Sequence, residues 1–437
     1  MKRTPAHRAT VTVSGLFLVG LLVGSWVGRA AVARATDPYA GLDRFARMLT
    51  AIEADYVEPL EGEALLDAAV AGMVEELDPH SRWMSASAVQ ELEADAAGNT
   101  TGFGLEVGRT PSGVVVLKVL PGSPAAREGL QRGDRILAID GEALEGASLE
   151  QVRQLFDGTT GQESELEVLR EGWEAPQHVH TAREQMHLPA TEGVLLDGDV
   201  MYVRLIDFQK DAATEVLAEV DRLQASASRK WAGLVLDLRD NTGGLLNEAV
   251  AVTDLFLDDG VIVSVRGRRD GVTTYEATPG GLPSDLRVAV LINGLSASAS
   301  EIVAGALQDT HRATLVGSPS YGKGSVQQLY RNADGSALKL TVARYHRPSG
   351  APIEARKGLE PDVLVETTVQ QGPRARIEAR LALLEVDDAE RELLHGLLAD
   401  LEEPRTAPQR ISWSSPVEER APADAAVKAA VGALTAR

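Results

Sequence analysis

The spacing of hydrophobic and polar positions changes period along the chain. Leu65, Ala69, Met73 and Leu77 recur every fourth position, the stripe of one helix face. Asp78-Pro79 stops that helix, because proline cannot continue the backbone ladder. A second helix is predicted over 86–96, and Gly98-Asn99-Thr100 reads as a linker. From 101 to about 183 the texture is that of strands. Gly102-Phe103-Gly104-Leu105 is a glycine-spaced turn leading into a strand, and 114–119 is a β-branched run. A short helix over 125–128 ends at Gly129, and strand 135–139 runs into the hairpin signal Asp140-Gly141. The next helix, 149–156, places Val152, Leu155 and Phe156 on one face, and 164–170 is expected to be the last strand of this region.

From about 186 to 366 strands and helices alternate, the signature of an α/β core. The runs 233–238 and 288–292 are continuously apolar, as in a sheet covered on both faces. Asn332-Ala333-Asp334-Gly335 joins two strands as a hairpin, and 376–401 is charged and helical in texture before a Pro- and Ala-rich end. The predicted organisation is a leader at 1–35, a helical region at 40–97, a β-rich domain at 98–183, an α/β core at 184–370 and an acidic helical tail at 371–437.

Composition narrows the partners. A net charge of −21 repels phosphate backbones, so non-specific nucleic-acid binding is excluded. The absence of cysteine removes disulfides, thiolate metal sites and a cysteine nucleophile together. Lys2, Arg3, His7 and Arg8 precede an apolar run over 11–27, followed by Ala33-Arg34-Ala35. This reads as a cleaved signal peptide or a single membrane anchor, with the bulk of the protein exported to the periplasm or another extracytoplasmic space.

Three segments could carry chemistry. At 293–301, Asn-Gly-Leu-Ser-Ala-Ser-Ala-Ser-Glu turns from a strand into a helix expected to begin near Ser296. The unpaired amides of a helix N-terminus stabilise negative charge, as a tetrahedral oxyanion requires. One serine there could be only a cap, but three alternating with alanines exceed what a cap needs. Lys323 lies between Gly322 and Gly324. A hydroxyl needs a base to become a nucleophile, and a lysine can serve where desolvation favours its neutral form. Gln327, in a following strand, could hold the lysine amine. The third segment is Arg239-Asp240-Asn241-Thr242-Gly243-Gly244, a turn at the carboxyl end of an apolar strand, which either offers an amide to a ligand or is an ordinary strand-to-helix connection. His178 and His180 would share one strand face, but no third ligand accompanies them, so no metal is expected, and His80 reads as structural.

Ser-Ala-Ser-Ala-Ser-Glu-Ile-Val-Ala-Gly-Ala-Leu-Gln-Asp at 296–309 and Tyr-Gly-Lys-Gly-Ser-Val-Gln at 321–327 resemble the signature of the C-terminal processing peptidases, also called tail-specific proteases. Leu-Asp-Pro-His-Ser at 77–81 resembles that family's N-terminal helical region. Pro-Gly-Ser-Pro-Ala-Ala at 121–126 with Gly-Asp-Arg-Ile-Leu at 133–137 looks like a bacterial PDZ domain. The resemblance implies a crotonase/ClpP-like mixed sheet with helices, an inserted PDZ domain and helical segments at both ends. It implies that the middle serine is the nucleophile and that the lysine 25 residues later is the base, here Ser298 and Lys323, with Gln327 as third residue. The oxyanion hole would use Ala299 with Gly243 or Gly244. Leu295 and the loop Asp157-Gly-Thr-Thr-Gly161 depart from the family pattern.

The implied activity is serine endopeptidase cleavage through an acyl-enzyme, without metal, nucleotide or other cofactor. Amides of Gly102, Phe103 and Gly104 would hold a substrate's terminal carboxylate, Leu105 and Val152 would line an apolar side-chain pocket, and the tail would add as a strand. The PDZ domain would gate the site. A homodimer or higher oligomer through the terminal helices and an activating adaptor are further expectations. The rival readings are a catalytically inactive PDZ scaffold and an enzyme of the same core acting on coenzyme A or another acyl ligand.

Overall fold

The computed structural model describes residues 41–60, 62–110, 113–147, 149–269, 271–353, 357–365 and 417–435. The expected leader at 1–35 and the expected helix over 376–401 lie outside them. Among the described residues no helix is long and apolar enough to cross a membrane.

The chain divides into two units, residues 1–76 and 77–437. In the first, helices Leu42–Asp55 and Gly62–Glu75 are the described elements. The remaining architecture belongs to the second unit.

Its β-rich domain is an antiparallel sheet in the order Leu105–Thr110, Gly113–Val119, Arg135–Ile139, Glu163–Leu169 and Gln177–Ala182. The expected last strand is therefore followed by another, Gln177–Ala182, in which Thr181 is buried while His178 and His180 face water. It is the strand whose one face His178 and His180 are expected to share. Phe103, Val116, Ile136, Ile139, Leu144 and Leu166 form the core of this domain. Strand Leu105–Thr110 stands at the edge of the sheet.

The α/β core is a six-stranded sheet in the order Thr191–Leu196, Val200–Leu205, Leu234–Asp237, Val288–Ile292, Ala313–Gly317 and Val363–Leu364. The first pair is antiparallel and the others are parallel. Alternation along each strand sends residues to opposite faces. Leu234, Leu236, Val288, Val290 and Ile292 pack in one cluster with residues of helices Ala212–Ser226, Leu246–Asp254 and Ala299–Asp309. Tyr202, Val235, Ala289, Leu291 and Val316 pack in another with helices Val417–Ala423 and Ala425–Thr435. Both faces of the sheet are covered, which explains its unbroken apolar strands. The end of the segment read as a tail thus supplies one of the two covers.

A second, five-stranded sheet carries Ser325–Arg331 paired with Ala337–His346. Arg82–Met84, inside the region read as helical, pairs with the same long strand. Its three residues are too few to show a period against the flanking helical texture.

Candidate active site

Strand Val288–Ile292 ends in a turn held by one side chain. Asn293 Oδ1 accepts from the amides of Asp240 (3.0 Å) and Leu295 (3.1 Å), while its Nδ2 donates to Asp240 Oδ1 (2.7 Å). The helix begins at Ala299, later than the sequence pattern suggests, so Ser298 itself is its N-cap residue. The three serines divide their work. Ser296 Oγ donates to the Leu238 carbonyl (2.7 Å) and Ser300 Oγ to the Asn241 carbonyl (2.8 Å), and both serines are fully buried. They tie the elbow to the Arg239–Gly244 turn. Ser298 between them is half-buried. Its backbone lies at φ 53°, ψ −111°, a conformation that costs a non-glycine residue about 1–3 kcal/mol and persists only where the surroundings fix it.

Glu301 is the buried centre of this site. Its Oε2 accepts from the amides of Ser298 (3.0 Å) and Lys323 (2.7 Å), and its Oε1 from the amide of Gly322 (2.7 Å) and from Ser320 Oγ (2.5 Å). Ser320 Oγ in turn accepts from the Leu359 amide (2.7 Å), so its own proton goes to Glu301. Burial pushes the Glu301 carboxyl above its ordinary value, while the hydrogen bonds from Ser320, Lys323, Gly322 and Ser298 oppose the rise. An amide only donates, so all of these partners are satisfied only by the carboxylate form. Glu301 carries a sequence signal of its own, since Ser298-x-x-Glu301 has the spacing of a capping box.

The two glycines differ. A Cβ on Gly243 would lie 2.8 Å from Ser298 Cβ and 3.1 Å from the Ala299 nitrogen, so glycine alone permits this approach. The Gly243 amide, however, donates to Asn241 Oδ1 (2.9 Å). Gly243 therefore lies beside Ser298 and Ala299 with its amide hydrogen given to the side chain that shapes the turn. A Cβ on Gly244 would instead meet the Phe208 carbonyl at 2.6 Å.

Lys323 is half-buried in the loop before Ser325–Arg331. Gln327 sits at a register shift in that strand, where a bulge re-aims a side chain. Its Nε2 donates to Ser325 Oγ (2.8 Å) and Thr341 Oγ1 (3.3 Å). Thr341 Oγ1 donates on to Asp78 Oδ1 (3.0 Å), and the Thr341 amide donates to Ser81 Oγ (3.0 Å). The Leu77–Ser81 motif thus buttresses strand Ala337–His346, the partner of the strand that carries Gln327.

In the β-rich domain, the Gly104 carbonyl accepts from Leu120 N (2.9 Å) and that of Phe103 from Ala125 N (3.0 Å), fixing the Gly102–Leu105 turn. The side chains of Phe103 and Val152 are buried in the core of this domain. Leu105, Val107, Leu155 and Phe156 are the half-buried apolar groups beside them. His178 and His180 both lie against Glu165, at 2.9 and 3.4 Å. Among the described residues no group of acidic or histidine side chains is placed to hold a metal.

The profile of peptidase family S41 matches residues 199–365, and a PDZ domain profile matches 115–170. A carboxy-terminal-processing protease of Bartonella bacilliformis is 38% identical over 332 residues, covering 76% of each chain. A carboxyl-terminal-processing protease of Synechocystis is 35% identical, over 70% of this chain and 73% of its own. The solved structure of a photosystem II D1 C-terminal processing protease is 31% identical, with a TM-score of 0.45, over 74% of this chain and 86% of that one. Fold and site together define a PDZ-bearing peptidase with a mixed-sheet core. The chain belongs to peptidase family S41, among the carboxy-terminal-processing proteases.

Proposed function

We propose that this chain is a serine endopeptidase of the exported compartment that captures protein tails on its PDZ domain and cuts them with Ser298 and Lys323. Ser298 Oγ attacks the scissile carbonyl as Lys323 takes its proton. The Oγ–C bond forms, the C–N bond breaks, and the lysine returns the proton to the leaving amine. Water then hydrolyses the acyl-enzyme. The Ala299 amide and that of Gly243 or Gly244 receive the oxyanion, Gly243 being the glycine that lies against Ser298 and the Ala299 nitrogen. Gln327 steadies the lysine amine. The edge strand Leu105–Thr110 takes the substrate tail as an added strand, and Leu105 and its half-buried apolar neighbours favour apolar tails. The N-terminal basic-then-apolar leader supports export.

One observation carries the catalytic reading: the amides of Ser298 and Lys323 share Glu301 Oε2, so residues far apart in sequence are fixed around one buried atom. The test is cleavage of a peptide with an apolar tail, as free acid and as C-terminal amide, by wild type, S298A and K323A. Loss of cutting in both variants with tail binding retained is expected, with weaker capture of the amide. Cutting by S298A would place the nucleophile elsewhere.

A further inference from the structure

The C-terminal helices reach the site through a buried chain of charges. Asp424, 3% exposed, sits between helices Val417–Ala423 and Ala425–Thr435. Its Oδ1 accepts from the amides of Ala426 (2.7 Å) and Val427 (3.1 Å), which caps the second helix. Its Oδ2 accepts from Arg239 Nη1 (2.8 Å), across 185 residues of sequence. The same guanidinium grips Asp237 through Nε and through Nη2 (2.6 Å), and Tyr202 Oη donates to Asp237 Oδ2 (2.7 Å). Arg239 is 6% exposed and Asp237 fully buried, so no water replaces a missing partner. A buried ion pair that loses one member leaves an uncompensated charge.

Arg239 is also where the catalytic turn begins. Asp240 follows at φ 61°, then Asn241, whose carbonyl accepts from Ser300 Oγ and whose Oδ1 holds the Gly243 amide. Gly243 lies against Ser298. A shift of the guanidinium moves the first residue of a turn whose last residues face the nucleophile.

We propose that Asp424 is a positioning residue for the peptidase reaction: by holding Arg239 it fixes the 240–244 turn, so that the segment 417–435, outside the residues matched by the family S41 profile, is a working part of the catalytic domain. This rests on the reading of Ser298 as nucleophile. Asp424 does not touch substrate. It acts on the placement of the turn, and a misplacement of about 1 Å costs on the order of 100-fold in rate.

The test compares full-length wild type, D424N, V316A and S298A. Val316 lies in the same apolar cluster as the C-terminal helices, so V316A weakens their packing without touching the charged chain. Steady-state cleavage of a peptide with an apolar tail gives kcat and KM, and amide hydrogen exchange reports on 239–245. Expected for D424N are a kcat about 10- to 100-fold lower, KM within about twofold, and faster exchange at 239–245. V316A should lower Tm while keeping wild-type kcat and exchange in that segment. Wild-type kcat and exchange in D424N would overturn the proposal, as would an equal kcat loss in V316A. If D424N does not fold, D424S, which keeps a capping oxygen for the second helix but removes the charge, decides: reduced kcat at unchanged KM with faster exchange at 239–245 supports the role, and wild-type kcat and exchange overturn it. If S298A cuts like wild type, the assignment of the nucleophile fails, and the exchange at 239–245 still decides the role of Asp424.

Discussion

The backbone amides of Ser298 and Lys323 donate to the same oxygen, Glu301 Oε2, at 3.0 and 2.7 Å. This one atom sets the distance between the serine elbow and the lysine loop. Glu301→Gln keeps the shape but replaces one oxygen with an NH2 group. Turned toward Ser298 and Lys323, the NH2 faces two amide donors. Turned the other way, it faces the Gly322 amide, while the Ser320 hydroxyl can rotate to accept. Each buried unsatisfied donor costs about 1–3 kcal/mol. E301Q should fold with a lower Tm and lose roughly 10- to 100-fold in kcat/KM, the equivalent of that energy. Steady-state kinetics with a melting curve checks it, and full activity in E301Q would refute the link.

The Ser298 backbone carries the second prediction. At φ 53°, ψ −111° it has the angles of the first central residue of a type II′ turn, a position glycine takes at little cost. S298A and S298G should both be inactive, since both lack the hydroxyl. S298G should nevertheless be more stable than S298A, by about 1 kcal/mol, because glycine relieves the strained φ. Urea unfolding of the pair measures this. Equal stabilities would mean that the elbow is not strained.

Gly243 supplies the third. Its φ of 115° already disfavours a side chain, and an alanine Cβ would press on Ser298 Cβ at 2.8 Å. The elbow is pinned by the Ser296 and Ser300 hydroxyls and has little room to retreat. G243A should lose at least about 100-fold in kcat, the scale set by a misplacement of roughly 1 Å. S296A should cost two buried hydrogen bonds, to the Leu238 carbonyl and from the Asn293 amide, about 2 kcal/mol, with a smaller effect on rate. Kinetics of the two variants side by side distinguishes misplacement of Ser298 from general loosening.

Much of this arrangement was legible in sequence because it is local. The apolar run at 288–292 and the small-residue turn after it announce a buried strand entering a helix. Three alternating serines announce more than a cap, and their spacing from the lysine matched a family signature. Ser296 and Ser300 proved to be anchors, because their partners, the carbonyls of Leu238 and Asn241, lie on another strand-end turn. Contacts that bridge long separations left no local mark. Asp424 meets Arg239 across 185 residues and Asp78 meets Thr341 across 263. An isolated aspartate in an Ala-rich segment has no period that would reveal a buried partner. Strand Arg82–Met84 is short, and its partner is more than 250 residues away.

Asp78 carries the last prediction, in pH. Burial works to raise its carboxyl, but hydrogen bonds from Ser81, the His80 amide and Thr341 prevail and hold it below the ordinary aspartate range. The unfolded chain, with an aspartate near pKa 3.9, therefore binds its proton at higher pH than the folded one. The stability that Asp78 contributes is fully present above about pH 3.9 and is lost as pH falls through the lower folded value. An asparagine at 78 cannot ionise and makes weaker bonds to the same donors. D78N should thus be less stable than wild type at pH 7, and the two should converge as pH falls below 3.9. Because Thr341 joins Asp78 to Gln327, D78N should also lower kcat while leaving capture of the tail by the PDZ domain unchanged. Urea unfolding across the acid range, with kcat and peptide affinity at neutral pH, tests both halves. A constant stability gap down to low pH would show that the Asp78 carboxylate is not what ties the Leu77–Ser81 motif to the strand.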